Sequence, residues 1–275
     1  MSAPYELKTY HSEAKPRMGF FTDTSICIGC KACEVACKEW NDVPEDGLEF
    51  TGMSYDNTGA LGADTWRHVA FVEQSKPIAV DGDGDGMRWL MASDVCKHCT
   101  SAACLEVCPT GALFRTEFGT VVVQEDVCNG CGYCVPACPF GVLDQRKDDG
   151  RVWKCTLCYD RLKDDKQPAC AQACPTKSIQ FGELEILRQT AEHRVKALEE
   201  AGETSARLYG RDEDDGVGGF GAFFLLLDEP EVYGLPPDPV VTTRDLPEMW
   251  KAAAVAAGGL IAAVGGALLL GGRER

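Results

Sequence analysis

The sequence predicts an α+β fold: two pseudo-symmetric halves built from short hairpins and helices, followed by one C-terminal transmembrane helix. Three observations predict it. Sixteen cysteines fall into four groups of related spacing, and such internal repetition marks duplicated units. The text between the groups reads as short apolar runs broken by glycine-rich turns, the pattern of hairpins. Finally, "AAAVAAGGLIAAVGGALLLGG", Ala252 to Gly272, is 21 residues without a charge.

The groups carry the soluble part of the chain. The first is Cys27, Cys30, Cys33 and Cys37. The second is Cys96, Cys99, Cys104 and Cys108. The third is Cys128, Cys131, Cys134 and Cys138, and the fourth is Cys155, Cys158, Cys170 and Cys174. The first and third share the spacing C-x2-C-x2-C-x3-C. The second and fourth each lengthen one gap. All four end in C-x3-C, and proline follows in three of them, at Pro109, Pro139 and Pro175.

The intervening elements follow in order. "TWRHVAFVE" and "MRWLMAS" flank "DGDGDG", Asp81 to Gly86, as two strands around a turn. That turn resembles the start of a calcium loop, but its twelfth position is Ala92 and not the bidentate glutamate calcium requires, so a plain turn is preferred. "ALFRTEFGTVVV" reads as a second hairpin between groups two and three. Glu183 to Glu200 reads as an amphipathic helix with Leu184, Leu187, Ala191, Val195 and Leu198 on one face and Gly202 just beyond its end. "GRDEDDGVGG" reads as a charged, flexible loop, "AFFLLLDE" as a buried strand, and "YGLPPDP" as the start of an extended linker. The expected division is 1–180 for the four-group domain, 181–235 for a helix and strand completing or docking it, 236–250 for the linker and 251–272 for the apolar helix. That helix would be about 31 Å long, the thickness of a bilayer's hydrocarbon core. A buried core helix is the alternative, and the lack of polar positions speaks against it. Ala254, Gly258, Ala262 and Gly266 offer a small-residue face for another membrane helix. Arg244 and Lys251 precede the span and Arg273 and Arg275 follow it, so charge leaves its orientation open.

The cysteine spacing points to iron and sulfur. Structural zinc sites use two C-x2-C pairs set apart by a loop, whereas three thiols at successive short steps let one loop grip three irons of a cubane. The fourth cysteine, before proline, ligates the other cluster in two-cluster ferredoxins. Cys27, Cys30 and Cys33 therefore share one cluster and Cys37 reaches a neighbour. Sixteen thiolates divide into four [4Fe–4S] clusters with none left over, and each half becomes a two-cluster ferredoxin-like unit. Spacing does not decide which groups exchange their fourth cysteine. Groups two and three are adjacent, so they should form one unit, and groups one and four the other. The ligand sets are then Cys27/Cys30/Cys33/Cys174, Cys37/Cys155/Cys158/Cys170, Cys96/Cys99/Cys104/Cys138 and Cys108/Cys128/Cys131/Cys134. Pairing one with two and three with four is the alternative. A disulfide scaffold is disfavoured because such scaffolds are much shorter, and a zinc scaffold because it has no need of this spacing.

The four groups in this order resemble the iron–sulfur subunits of molybdenum or tungsten oxidoreductases, and above all the beta subunit of membrane-bound formate dehydrogenase. The resemblance runs through "DTSICIGCKACEVACKEWN", "VCKHCTSAACLEVCPTGAL", "VCNGCGYCVPACPFGV", "KCTLCYDRL", "PACAQACPTKSI" and "YGLPPDP" to the single C-terminal span. It implies the crossed pairing. It also implies four 4Fe–4S centres and no 3Fe–4S centre, because the second group is complete. It implies a molybdopterin catalytic subunit that oxidises formate and a b-type cytochrome partner in the membrane that reduces quinone. With no apolar run or twin arginine in "MSAPYELKTYHSEAKPRMG", the chain either stays in the cytoplasm or crosses folded on a partner's signal, and the resemblance favours the second route, leaving the C-terminus cytoplasmic.

The chain itself offers a wire and an anchor. Cubanes capped by four cysteines have no open iron for a substrate. P-loop, dinucleotide and nucleophile motifs do not occur. The formal charge of -16 disfavours nucleic acid. Other membrane oxidoreductases, such as a hydrogenase or a polysulfide or sulfoxide reductase, would use the same wire. The histidines His11, His68, His98 and His193 are scattered. His98, between two ligands, is expected at the surface or in a packing contact, with tuning or coupling of a cluster as the alternative. Lys97 and Lys154 adjoin ligands, where a cation favours the reduced cluster, with a solvated position as the alternative.

Overall fold

The computed structural model describes residues 15–47, 50–53, 55–75 and 87–271. Residues up to Val241 form one compact unit, and those from Thr242 a second. The predicted turn at Asp81–Gly86 lies outside the described residues.

Strand β1 (Met18–Asp23) opens the first unit and helix α1 (Ala32–Asn41) carries the end of the first cysteine group. Strands β2 (Arg67–Ser75) and β3 (Met87–Val95) pair antiparallel, from Arg67 against Val95 to Ser75 against Met87. A one-turn helix α2 (Ala103–Glu106) holds Cys104. Strands β4 (Leu113–Arg115) and β5 (Val121–Val123) form the second predicted hairpin. Helix α3 (Cys134–Ala137) follows, then the small hairpin β6 (Asp144–Gln145) and β7 (Val152–Trp153), and helices α4 (Tyr159–Lys163) and α5 (Ala169–Ala173). Strand β8 (Ile179–Glu183) leads into α6 (Leu184–Glu200), and β9 (Arg207–Tyr209) and β10 (Ala222–Leu226) complete the unit.

One sheet ties the chain's ends around the cysteine-bearing loops. Its order is β8-β1-β10-β9, with β1 parallel to β10 and antiparallel to β8. The residues after the fourth group thus build a sheet with the residues before the first. Strand β10 reads "AFFLL" and is buried throughout, as a strand covered on both faces must be. Phe21 stacks on Phe223 with ring centroids 5.2 Å apart. Helix α6 is the predicted amphipathic helix, and it buries Leu184, Leu187 and Ala191. Arg194 on the same helix pairs with the buried carboxylate of Asp23 at 2.9 Å.

Two expectations change. "GRDEDDGVGG" is a folded cap. The Asp215 carboxylate accepts from the backbone of Val217 at 3.0 Å and Gly219 at 2.9 Å, closing the loop on itself. The carbonyls of Val217 and Gly219 accept in turn from Ser101 and Thr100, so the loop lies over the second cysteine group. The stretch read as a linker is packed through Leu235 and Val241, both buried. Tyr209 donates to the Pro236 carbonyl at 2.5 Å.

The second unit is helix α7 (Leu246–Gly271). It begins five residues before the predicted start, since Pro247 in its first turn has no N–H to satisfy. Its Leu246–Leu268 segment has a mean hydropathy of 1.6 and is long and apolar enough to cross a membrane.

Candidate metal centres

Each group's cysteines are set by a loop and one helical turn. In the first group Gly29 and Lys31 take left-handed backbone angles, with φ of 63° and 58°, which turn the loop so that its thiols converge. Gly29 also admits the hairpin: a Cβ there would stand 2.6 Å from the Phe71 ring and 2.7 Å from the Met91 sulfur. His98, Leu157 and Cys158 hold the same left-handed angles in groups two and four. The C-x3-C ends lie on α1, α2, α3 and α5 or just past them, so the last two cysteines sit one helical turn apart. Proline just after the cysteine stops three of these turns.

The structure places two of the predicted ligand sets around common pockets. Cys96, Cys99, Cys104 and Cys138 line one pocket, walled by Ala103, Val142 and other apolar side chains. Cys27, Cys30, Cys33 and Cys174 line another. The other two sets appear in the field each thiol feels. Burial pushes the Cys37 thiol well up, and the sulfurs of Cys155, Cys170 and Cys158 add to it. Burial pushes Cys134 up to about 11, with Cys108, Cys128 and Cys131 reinforcing it. Asn41 joins the second of the four sets, its amide 3.7 Å from Cys37 Sγ and 3.8 Å from Cys158 Sγ. Packing agrees, for α1 with Cys37 packs on α5 with Cys170, and α2 with Cys104 packs on α3 with Cys134.

The donor set suits a cluster better than a single ion. All sixteen cysteines are free of disulfides. Among the described residues, no three histidine, cysteine or carboxylate side chains gather as closely as one ion needs. The sulfurs instead ring spaces that a compact inorganic core fills. Burial raises Cys104 and Cys155 to about 12, and such thiols become thiolates on meeting cationic iron. Backbone N–H groups supply the remaining stabilisation. Burial alone would raise Cys108, but the Leu113 amide, the Thr110 hydroxyl and the amides of Thr110 and Ala112 together bring it below the ordinary thiol range.

Thiols of successive sets also lie within electrostatic reach of one another. The Cys33 thiol feels Cys170, Cys155 feels Cys96, and Cys104 feels Cys134. At the two ends of this series, Cys30 and Cys131 are exposed.

The residues flanking the ligands are less solvated than the sequence suggests. Lys97 and Lys154 are each 1% exposed. Lys97 pairs with Asp94 and donates to the Val95 carbonyl at 2.9 Å, over the rings of Phe224 and Phe140. Lys154 donates to the carbonyls of Val121 and Cys155. His98 is buried and lines the pocket of Cys96, Cys99, Cys104 and Cys138, so it has a contact role and not a surface one. Its Nδ1 accepts from the Val121 N–H at 3.1 Å. Burial and four surrounding cations, Lys154 first, keep it neutral. Arg115 donates to the Cys99 and Thr100 carbonyls at 2.9 Å and 2.7 Å and steadies the second loop. Sequence reasoning missed Asn41, Arg67, Ser93 and Arg115. The available signal was an arginine alternating with the apolar Val69 and Phe71 along one strand.

Comparison with known proteins agrees with this geometry. Two family models, each described as a 4Fe-4S dicluster domain, match residues 26–112 and 87–184. The fold and the cysteine quartets thus define a 4Fe–4S dicluster protein, and two such domains with sixteen cysteines correspond to four [4Fe–4S] clusters. The iron-sulfur subunit of the nitrate-inducible formate dehydrogenase of Escherichia coli K12 is 38% identical over 97% of this chain and 87% of its own length. The formate dehydrogenase iron-sulfur subunit of Haemophilus influenzae is 42% identical over 86% of this chain and 75% of its own. A polypeptide of the anaerobic dimethyl sulfoxide reductase of E. coli K12 is 37% identical over 62% of this chain and 76% of its own. The chain belongs to the family of formate dehydrogenase iron–sulfur subunits, and is an electron-transfer subunit.

Proposed function

We propose that the chain connects a molybdopterin-containing (molybdenum or tungsten) formate dehydrogenase subunit to a membrane cytochrome b and quinone. The quartets Cys27/Cys30/Cys33/Cys174, Cys37/Cys155/Cys158/Cys170, Cys96/Cys99/Cys104/Cys138 and Cys108/Cys128/Cys131/Cys134 hold its four clusters. Bound there, [4Fe–4S] clusters supply one-electron carriers whose potentials follow hydrogen bonding, charge and burial. The protein's part is to hold them in a series, to wall off water and to place charge. The observation that carries this reading is that thiols of successive sets lie within one another's electrostatic reach, Cys33 with Cys170, Cys155 with Cys96 and Cys104 with Cys134, with exposed cysteines in the first and last sets. A series open at two surfaces suits a donor at one end and an acceptor at the other. The two packed helix pairs, α1 with α5 and α2 with α3, support two related halves.

Helix α7 anchors the chain in the bilayer as a single span, supported by its length and hydropathy. The family resemblance favours the extracytoplasmic side for the cluster-bearing unit. Solubilising membranes in detergent and identifying the polypeptides that copurify tests the assignment. A molybdopterin subunit and a b-type cytochrome are expected. A nickel–iron subunit in their place would overturn it.

A further inference from the structure

Arg67 lies at the start of β2, 2% exposed. Its Nη1 donates to the Ser93 carbonyl at 3.2 Å and to Ser93 Oγ at 3.0 Å. Its face lies over the Phe20 ring, 4.9 Å from the centroid. Its Nε and Nη2 are buried with no hydrogen-bond partner among the described residues. No carboxylate among the described residues pairs with it, whereas the buried Lys97 has Asp94. A guanidinium sealed in this way is strongly unfavourable unless an anion faces it.

The anions available are sulfurs of two quartets. Ser93 Oγ, which Arg67 holds, lies 3.2 Å from Cys33 Sγ. Among the thiols the Arg67 charge acts most on Cys170, then Cys33, Cys155 and Cys37. Cys33 belongs to the first quartet and the other three to the second, and β2 packs on α1, the helix that carries both Cys33 and Cys37, so the guanidinium stands where the two adjoin. Resting on the reading that these quartets hold clusters, we propose that Arg67 is a permanent positive charge shared by the first two clusters, which raises the reduction potential of both. Each four-thiolate cluster is anionic and gains one more negative charge on reduction. A nearby cation favours the reduced form. No bond forms or breaks. One electron enters the cluster and the guanidinium keeps its proton.

The test is a dithionite titration of the anaerobically purified, iron-loaded protein, followed by electron paramagnetic resonance. In Arg67→Gln, two of the four midpoint potentials should fall by at least tenfold in the reduced-to-oxidised ratio, about 59 mV for a one-electron couple. The other two should stay within about threefold, and Arg67→Lys should keep all four within about threefold. Arg67→Met serves as a second neutral variant. Loss of iron in both neutral variants with full loading in Arg67→Lys would also support a requirement for charge. Unchanged potentials in a loaded neutral variant, a uniform shift of all four, or loss of iron in all three variants would overturn the proposal. The iron content of the unmutated protein is read separately, so failure of this idea and failure of the four-cluster reading give different results.

Discussion

Single cysteines test the crossed ligand sets directly. If Cys174 completes the set of Cys27, Cys30 and Cys33, then Cys174→Ala and Cys27→Ala abolish the same paramagnetic signal. Each should lower the iron content by about four atoms, the content of one cubane. Two different lost signals would instead favour exchange between groups one and two. Gly29 is a second point of leverage. Its φ of 63° and the 2.6 Å approach to Phe71 leave no room for a methyl group. Gly29→Ala should cost about 1–3 kcal/mol and release iron at lower denaturant concentration, measured by the loss of visible absorbance. The ligand type and the four runs of cysteines along the chain were legible from spacing, because a cubane dictates short steps and a helical turn dictates C-x3-C, whereas the exchange of the fourth cysteine between runs was not. Arg67, Ser93, Asn41 and Arg115 were not legible. Their roles depend on which distant loops meet, and one charged residue in a strand ordinarily faces water.

The elements divide in the same way. The β2–β3 and β4–β5 hairpins, helix α6 and the buried strand β10 could be read from periodicity, because each is a local pattern with a clear apolar face. The sheet that joins β1 to β10 could not. It pairs Phe20 with Ala222 across some two hundred residues, and spacing along the chain carries no information about such a partner. The loop 210–219 was misread for a related reason. Its acidic composition describes a solvated segment, but the Asp215 turn and the carbonyls given to Thr100 and Ser101 make it a lid on the second group. Strand β10 is central to the first unit. Phe223 is fully buried and stacked on Phe21, so Phe223→Ala should cost about 3–5 kcal/mol. Ile186→Ala, on the exposed side of α6, should stay within about 0.5 kcal/mol. Chemical denaturation of the two variants side by side checks the contrast.

Two units with separate tasks make up the molecule. Cys33, Cys37, Cys96, Cys134, Cys155 and Cys170 belong to the same buried core as the phenylalanines of β1 and β10, so the first unit is packed around its inorganic groups. Stripping the iron should therefore melt it cooperatively and not leave a folded apoprotein, as loss of near-ultraviolet circular dichroism in step with iron would show. The second unit is separable. A chain ending at Val241 should remain soluble without detergent and keep its iron and its paramagnetic signals, while the full chain partitions to membranes. The central claim is that four clusters sit in one polypeptide, each held by four cysteines. Metal analysis combined with a reductive titration of the full chain tests it most directly. The account predicts about sixteen irons and uptake of about four electrons per chain. Zinc in place of iron, or uptake of two electrons or fewer, would contradict it.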